Sequence, residues 1–285
     1  MTTIPSFALS DGSSLPAVGF GTYPLRGREG TDAVLSAIDA GYRLIDTAVN
    51  YRNEDAVGAA VREATAGRER QISRDELVIA TKLPGRDHGF EETITSFHGS
   101  LQALGLDTLD LYLIHWPNPS VDKFVESWKA MIQLQKEGLV RTIGVSNFTE
   151  AFLDRLAQET GVLPAVNQVE LHPYFPQEEL LEYHTANGIQ TEAWSPLGKR
   201  NAPFEEGPVA VAAAAHDVTP AQVILRWHHQ RGVLPIPKSG DPVRQRTNID
   251  LFGFALTDDE VEAITGLGHA GGRLFDGDPN THEEM

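Results

Sequence analysis

Residues 41–46 read Gly-Tyr-Arg-Leu-Ile-Asp and join the end of an amphipathic stretch to a short apolar run. Glycine often ends helices because it adopts left-handed backbone angles at little cost, and a short apolar run after it is typical of a buried strand. The same pattern recurs at Gly41, Gly67, Gly105, Gly138, Gly161, Gly188 and Gly232. Seven such junctions predict a chain of helices that alternate with parallel strands.

The stretches that precede these glycines have helical features. Apolar side chains recur at helical spacing in residues 90–104, Thr149 can cap a helix start, and Thr219-Pro220 is a typical first turn. With a first strand at residues 17–20, the chain has eight strand–helix units. This count predicts one α/β domain over residues 1–285, a (β/α)8 TIM barrel.

A doubly wound sheet is the alternative, because it is built from the same strand–helix units. Its dinucleotide fingerprint requires three glycines in the pattern G-x-G-x-x-G after the first strand. Residues 19–24 read Gly-Phe-Gly-Thr-Tyr-Pro, so Pro24 stands where the third glycine is needed. The absence of a complete fingerprint therefore favours the barrel.

Two segments lie outside the repeat. Residues 6–9 and 15–18 flank Asp11-Gly12, a pair typical of tight turns, so we expect residues 1–16 to form a β-hairpin that caps the bottom of the barrel. Residues 271–285 are polar and lack periodicity, which predicts a loop or a partly disordered tail.

Composition excludes several classes of function. Twenty-three Lys and Arg against 40 Asp and Glu give a net charge of −17, which repels nucleic acids and anionic membranes. The chain has no Cys, so disulfides, thiolate nucleophiles and cysteine-based metal sites are excluded. The start of the chain lacks a leader pattern, and no long apolar stretch occurs. We expect a soluble, cytoplasmic protein that acts on small molecules.

The active site of such a barrel lies at the carboxyl ends of the strands, where this sequence is unusually polar. Lys82 can lower the pKa of a neighbouring tyrosine, and Asp46 can hold the ammonium in an ion pair. Tyr51 would then donate a proton, and His115 would orient the oxygen that receives it or help to donate. We call this set the tetrad: Asp46, Tyr51, Lys82 and His115.

Such a site polarises a carbonyl for attack by a hydride, and a nicotinamide is the simplest hydride source. Trp194 offers a flat face to the ring, and a carboxamide could bind Ser146, Asn147 and Gln168. Phosphate could bind at the start of a late helix, where Lys238, Ser239 and Arg244 lie.

The chain resembles the aldo-keto reductase family from about Leu15 to Leu267, and is most similar to its bacterial 2,5-diketo-D-gluconic acid reductase-like members. The matching motifs occur in order at residues 41–48, 51–54, 81–83, 110–117, 143–148, 167–173, 195–198 and 236–239. Trp194, where animal members commonly have tyrosine, supports the bacterial likeness. The resemblance implies NADPH-dependent reduction of aldehydes and ketones by the tetrad.

It also implies contacts to coenzyme and substrate. Lys238, Ser239 and Arg244 would bind the 2′-phosphate, Asn248 the adenine, and Ser195, Leu197 and Gly198 the pyrophosphate. Residues implied to border the coenzyme are Gly21 and Thr22, and those implied to contact substrate are Tyr23, Asn50, Trp116 and Phe148.

The sequence departs from the family pattern mainly around the substrate. Pro84 replaces a common Trp, and Asn50 replaces an apolar residue before the tyrosine. Gly240 and Thr247 replace common residues of the adenosine site. Substrate choice would depend on the loops after Pro84 and Trp116, on the loop 199–206, and on the tail.

Two other functions remain open at this stage. Lys82 could form a Schiff base in a lyase, although pairing with Asp46 opposes a free amine. The chain could also bind NADPH as a redox sensor with negligible turnover. The histidines lack ligand spacing, so we predict no metal site, and nothing requires more than a monomer.

Overall fold

The computed structural model describes residues 4–66, 72–199 and 202–284. Eight parallel strands lie in chain order around a barrel: β3 (Gly19–Gly21), β4 (Leu44–Asp46), β5 (Val78–Leu83), β6 (Leu109–Ile114), β7 (Val140–Ser146), β8 (Val166–Glu170), β9 (Gln190–Trp194) and β10 (Leu234–Ile236). The Gly21 amide donates to the Pro237 carbonyl at 3.1 Å and joins the last strand to the first. The predicted barrel is therefore confirmed.

Helices surround the barrel. They are α1 (Gly27–Ala40), α2 (Glu54–Ala66), α3 (Phe90–Leu104), α4 (Phe124–Lys136), α5 (Glu150–Thr160), α6 (Glu178–Ala186), α7 (Gly207–His216), α8 (Pro220–Gln230), α9 (Pro242–Ile249) and α10 (Asp258–Thr265). In the described part of the chain, no single helix is long and apolar enough to span a membrane. Only α7 and α8 together reach that length, and they meet at a 97° bend.

The glycine pattern that predicted the repeat is confirmed. Positive φ angles from 66° to 113° occur at Gly41, Gly105, Gly138, Gly161, Gly188 and Gly232. Gly67 lies outside the described residues. Thr219 caps α8 as expected, since its side chain accepts from the Gln222 amide. Thr149 precedes α5, but its side chain makes no capping hydrogen bond.

The N-terminal hairpin closes the bottom of the barrel. Strands β1 (Ser6–Ala8) and β2 (Ser14–Pro16) pair antiparallel. Leu9 and Leu15 share one apolar cluster with Leu44 and Val78, the first residues of β4 and β5. The first barrel strand begins two residues later than expected, because the Ala17 amide still bonds back to the Pro5 carbonyl.

The tail is irregular, as expected, but it packs against the barrel mouth. Gly277 and Pro279 are buried in it. The Leu274 amide donates to the carboxylate of Glu170 at 2.7 Å, and the Phe275 ring lies 5.3 Å from that of Trp194. The tail is therefore part of the surface around the site.

Candidate active site

A cavity of about 1020 Å³ opens at the carboxyl ends of the strands. It extends from Tyr51 and His115, past Trp194, to Lys238 and Arg244. The predicted residues that line it are Gly21, Thr22, Tyr23, Asp46, Tyr51, His115, Trp116, Asn147, Gln168, Trp194, Ser195, Leu197, Lys238, Ser239, Arg244 and Asn248.

The lysine of the tetrad lies behind the cavity wall. Lys82 is fully buried in β5, and its Nζ donates to both carboxylate oxygens of Asp46 at 2.7 Å. The same ammonium donates to the Thr47 carbonyl at 3.0 Å and to the Tyr51 hydroxyl at 3.4 Å. These partners use all three of its protons. Burial opposes the charged form, but Asp46 and Tyr51 outweigh it and raise the pKa of Lys82.

Tyr51 ends a short 3-10 turn, Val49–Tyr51, just after β4. Arg26 donates to its carbonyl at 2.9 Å and fixes the turn. Burial raises the pKa of the Tyr51 phenol, and the neighbouring Lys82 offsets only part of this effect. Lys82 thus acts to lower the pKa of Tyr51, as expected, but burial outweighs it and leaves the pKa above its ordinary value. A raised pKa keeps the phenol protonated at neutral pH, which a proton donor needs.

His115 directly follows β6 and faces the tyrosine. The two rings meet edge to face with centroids 5.7 Å apart. Asn147 donates to the His115 carbonyl at 3.0 Å, so the loop after β7 holds this residue. The tetrad thus comes together from three neighbouring strands and the loops that follow them.

The amide side chains near the tetrad are bound mainly to the protein. Gln168 donates to Asp46 at 3.0 Å and to the buried Glu192 at 2.8 Å. Asn147 accepts from the Trp194 indole nitrogen at 2.8 Å, which fixes the tryptophan ring. The Ser146 hydroxyl donates to the Gln168 carbonyl and does not line the cavity.

Three more predicted contacts do not line the cavity. Phe148 is buried among core rings, 5.4 Å from Phe124 and 6.0 Å from Phe152, because Asn147 before it has a φ of +64° and turns the chain inward. Asn50 accepts from Arg86 at the rim. Gly198 ends a turn in which its amide donates to the Ser195 carbonyl.

The phosphate end of the cavity differs from the expectation in one respect. Asp241 caps α9, and its carboxylate accepts from the amides of Val243 and Arg244. The N-terminal amides of α9 are thus already bonded within the protein. The side chains of Lys238 and Arg244 remain exposed at the cavity, and Arg244 is 73% exposed.

The sequence did not single out several residues that the structure brings to this site. Phe204, Phe275 and His282 line the cavity. Lys199 also lines it, with its ammonium 4.3 Å from the centre of the Phe275 ring. These residues belong to the loop 199–206 and to the tail, both of which were expected to set substrate choice. The aperiodic sequence of these segments did not indicate which of their residues line the cavity. Within residues 4–66, 72–199 and 202–284, no three His, Asp or Glu side chains form a metal-binding group.

The chain is similar to known proteins over almost its whole length. The model of the Aldo/keto reductase family matches residues 17–202 and 207–269. The chain belongs to the aldo-keto reductase family. It is 57% identical to 2,5-diketo-D-gluconic acid reductase B of Corynebacterium sp. (strain SHS752001) over 285 residues, all of both chains.

Two further proteins are similar to this aldo-keto reductase over most of its length. Methylglyoxal reductase DkgA of Escherichia coli (strain K12) is 43% identical over 91% of this chain and 92% of its own. A crystal structure of a Gox0644 mutant in complex with NADPH superimposes on this chain with a TM-score of 0.92. The two sequences are 39% identical, and the match covers 99% of this chain and all of the Gox0644 chain. The predicted family resemblance is confirmed.

Proposed function

We propose that this aldo-keto reductase reduces small aldehydes, dicarbonyls and keto-sugars such as diketogluconate, with NADPH as coenzyme and Tyr51 as general acid. One observation carries the proposal. The Tyr51 hydroxyl lies 3.4 Å from the buried ammonium of Lys82, at the base of a cavity whose other end carries exposed Lys238 and Arg244. The relatives named as reductases of diketogluconate and methylglyoxal support the substrate class.

The residues present fit a nicotinamide dinucleotide. The cavity is long and combines one flat aromatic wall, Trp194, with two exposed cations at the far end. Trp194 would pack on the nicotinamide, and Lys238, Ser239 and Arg244 would bind the 2′-phosphate. When bound, the coenzyme supplies the hydride that attacks the carbonyl carbon.

The protein's part in the reaction is to place and transfer one proton. His115 and Tyr51 would hold the carbonyl oxygen by hydrogen bonds and so withdraw charge from the carbon. Tyr51 would then give its proton to the oxygen, and Lys82, held by Asp46, would stabilise the phenolate that remains. Trp116 and Tyr23 would border the substrate.

The geometry opposes the lyase alternative. All three protons of Lys82 are bonded, its pKa is raised, and it is fully buried. A Schiff base needs a neutral, accessible amine. The sensor alternative shares the same coenzyme cavity, so turnover is what separates it from a reductase.

The decisive experiment mixes purified protein with NADPH and, in separate reactions, methylglyoxal, 2,5-diketogluconate or glyceraldehyde. The absorbance of the reduced nicotinamide is measured over time. We expect carbonyl-dependent oxidation, and a loss of about 10²- to 10⁴-fold in kcat for Tyr51→Phe. Coenzyme affinity should stay nearly unchanged in that variant. Tyr183→Phe, which removes a surface hydroxyl bonded to Asp154, is the matched control.

Coenzyme binding without turnover on any carbonyl would instead favour the sensor. Turnover that survives in Tyr51→Phe would show that Tyr51 is not the acid. We further propose that the enzyme works as a monomer, since one chain supplies the whole tetrad, and that it acts in the cytoplasm. Light scattering on the purified protein tests the first of these proposals.

A further inference from the structure

Glu284, in the C-terminal tail, lies against His115 at the substrate end of the cavity. The carboxylate of Glu284 lies 2.7 Å from Nδ1 of His115, and both side chains are nearly buried, at 15% and 11% exposure. The contact is a close charge-to-ring approach that is not aligned as a hydrogen bond, and Nδ1 has no other partner among the described residues. No signal in the sequence connected residue 284 with the tetrad. A carboxylate at one nitrogen of a histidine fixes the tautomer and the ring orientation.

The backbone of this residue is held firmly. The Asn118 side chain, fully buried, accepts from the Glu284 amide at 3.2 Å and donates to the Glu284 carbonyl. The Gly85 amide donates to the other carboxylate oxygen at 3.4 Å. At Gly85 a Cβ would lie 1.9 Å from the Glu284 carbonyl, so the loop after β5 has room for the tail only because glycine stands there.

Neighbouring tail residues pack on the same wall. The His282 ring lies 4.1 Å from that of Trp116, and the Glu283 carboxylate accepts from the Ser120 amide at 2.7 Å. The tail is thus attached to the loops after β5 and β6, the strands that carry Lys82 and precede His115. This attachment fixes Glu284 relative to the tetrad.

The surroundings of Glu284 also favour the charged form of its carboxyl group. Burial acts to raise the pKa of Glu284, but His115, Asn50 and the Gly85 amide more than offset burial, and the pKa lies below its ordinary value. The carboxylate is therefore ionised at neutral pH. An ionised carboxylate beside Nδ1 of a histidine favours a proton on that nitrogen, and Nε2 would then be the ring nitrogen available to a reacting oxygen.

We propose that Glu284, supplied by the tail, is a positioning residue that holds His115 through Nδ1 so that Nε2 faces the carbonyl oxygen of the substrate. The proposal rests on the carbonyl reductase function proposed above. Glu284 acts through His115 and does not itself contact the reacting atoms.

The test compares Glu284→Gln with Glu283→Gln, an isosteric change on the adjacent residue that retains an acceptor for the Ser120 amide. We expect Glu284→Gln to lower kcat/KM for methylglyoxal on the order of tenfold, with NADPH affinity unchanged. Glu283→Gln should retain wild-type kcat/KM. Equal losses in both variants would mean that Glu284 only anchors the tail.

A double-mutant cycle with His115→Gln shows whether the effect passes through the histidine. We expect Glu284→Gln to cause no further loss when His115 is already replaced. An undiminished tenfold loss in that background would overturn the proposal. We expect Glu284→Asp to lower kcat/KM as Glu284→Gln does. Asn118 fixes the backbone, so the shorter side chain would lie farther from His115.

A spectroscopic measurement does not depend on turnover. ¹⁵N chemical shifts of the His115 ring report which nitrogen carries the proton, and we expect protonated Nδ1 in the wild-type protein and a loss of that preference in Glu284→Gln. Unchanged shifts would refute the pairing. If wild-type protein reduces no carbonyl, the proposed function fails, while these shifts still decide the pairing of Glu284 with His115.

Discussion

Glu192 is a buried carboxyl group beside the tetrad, in the middle of β9 and 1% exposed. One of its oxygens accepts from Gln168 at 2.8 Å, and the other has no hydrogen-bond partner among the described residues. The charged groups that face it are Asp46 and Lys82. Burial raises the pKa of Glu192 to about 7, and Asp46 adds to this, while Gln168 and Lys82 oppose it.

This raised pKa predicts a pH dependence of stability. The folded state holds the proton more tightly than the unfolded state, so the stabilisation is complete below the ordinary glutamate pKa and is lost as pH rises through about 7. Glu192→Gln removes this dependence. We measure the free energy of unfolding in urea for Glu192→Gln and for the wild type. The value for the variant minus that for the wild type should be on the order of 2 kcal/mol larger at pH 8 than at pH 5.

Glu126→Gln, an exposed change on α4, is the control for Glu192→Gln and should show no such trend. A pH-independent difference between Glu192→Gln and the wild type would mean that Glu192 stays ionised in the folded protein.

At the residue scale, the sequence located the tetrad because each member lies at or just beyond a strand end. Strand ends converge on one face of a barrel, so position along the chain predicts proximity. The direction of a side chain is harder to predict. The left-handed turn at Asn147 sends Phe148 into the core, and no composition pattern shows that turn.

At the scale of elements, periodicity predicted helices that have one apolar face. It did not predict α7, whose run of Val and Ala at residues 209–215 has no polar face to define a period. The packing of the tail against the barrel was not predicted for a related reason. Its contacts with Trp116, Asn118 and Gly85 depend on distant loops, so its own sequence carries no sign of them.

The helix-ending glycines give a prediction at this scale. Gly161 ends α5 with a φ of +72°, and a Cβ there would meet nothing within 4 Å, so Gly161→Ala changes only the backbone preference. We expect a loss of about 1 kcal/mol in the free energy of unfolding, measured in urea.

Gly99 supplies the matched control for Gly161→Ala. It lies on the exposed face of α3, where a Cβ also meets nothing within 4 Å. Gly99→Ala should stabilise the protein by about 0.5–1 kcal/mol, since alanine favours helix. The same sign of change at both positions would refute the role assigned to Gly161.

At the scale of the whole molecule, the net charge of −17 opposes an anionic coenzyme, and the two cations proposed to bind its 2′-phosphate, Lys238 and Arg244, lie at the cavity. Both cations are exposed, and Asp241 lies 3.8 Å from Arg244. Interactions between exposed charges are screened by salt, with a Debye length of about 10 Å at 0.1 M and about 3 Å at 1 M. Any preference for a 2′-phosphate should therefore depend on ionic strength.

We expect the ratio of kcat/KM for NADPH to that for NADH to fall severalfold as KCl rises from about 0.05 to 0.5 M, because only NADPH carries the extra phosphate. In the double variant Lys238→Ala, Arg244→Ala the ratio should be low at every salt concentration. Steady-state kinetics with one saturating aldehyde measures both. If the wild-type ratio does not change with salt, or if the double variant keeps the wild-type ratio, the 2′-phosphate binds away from these two cations.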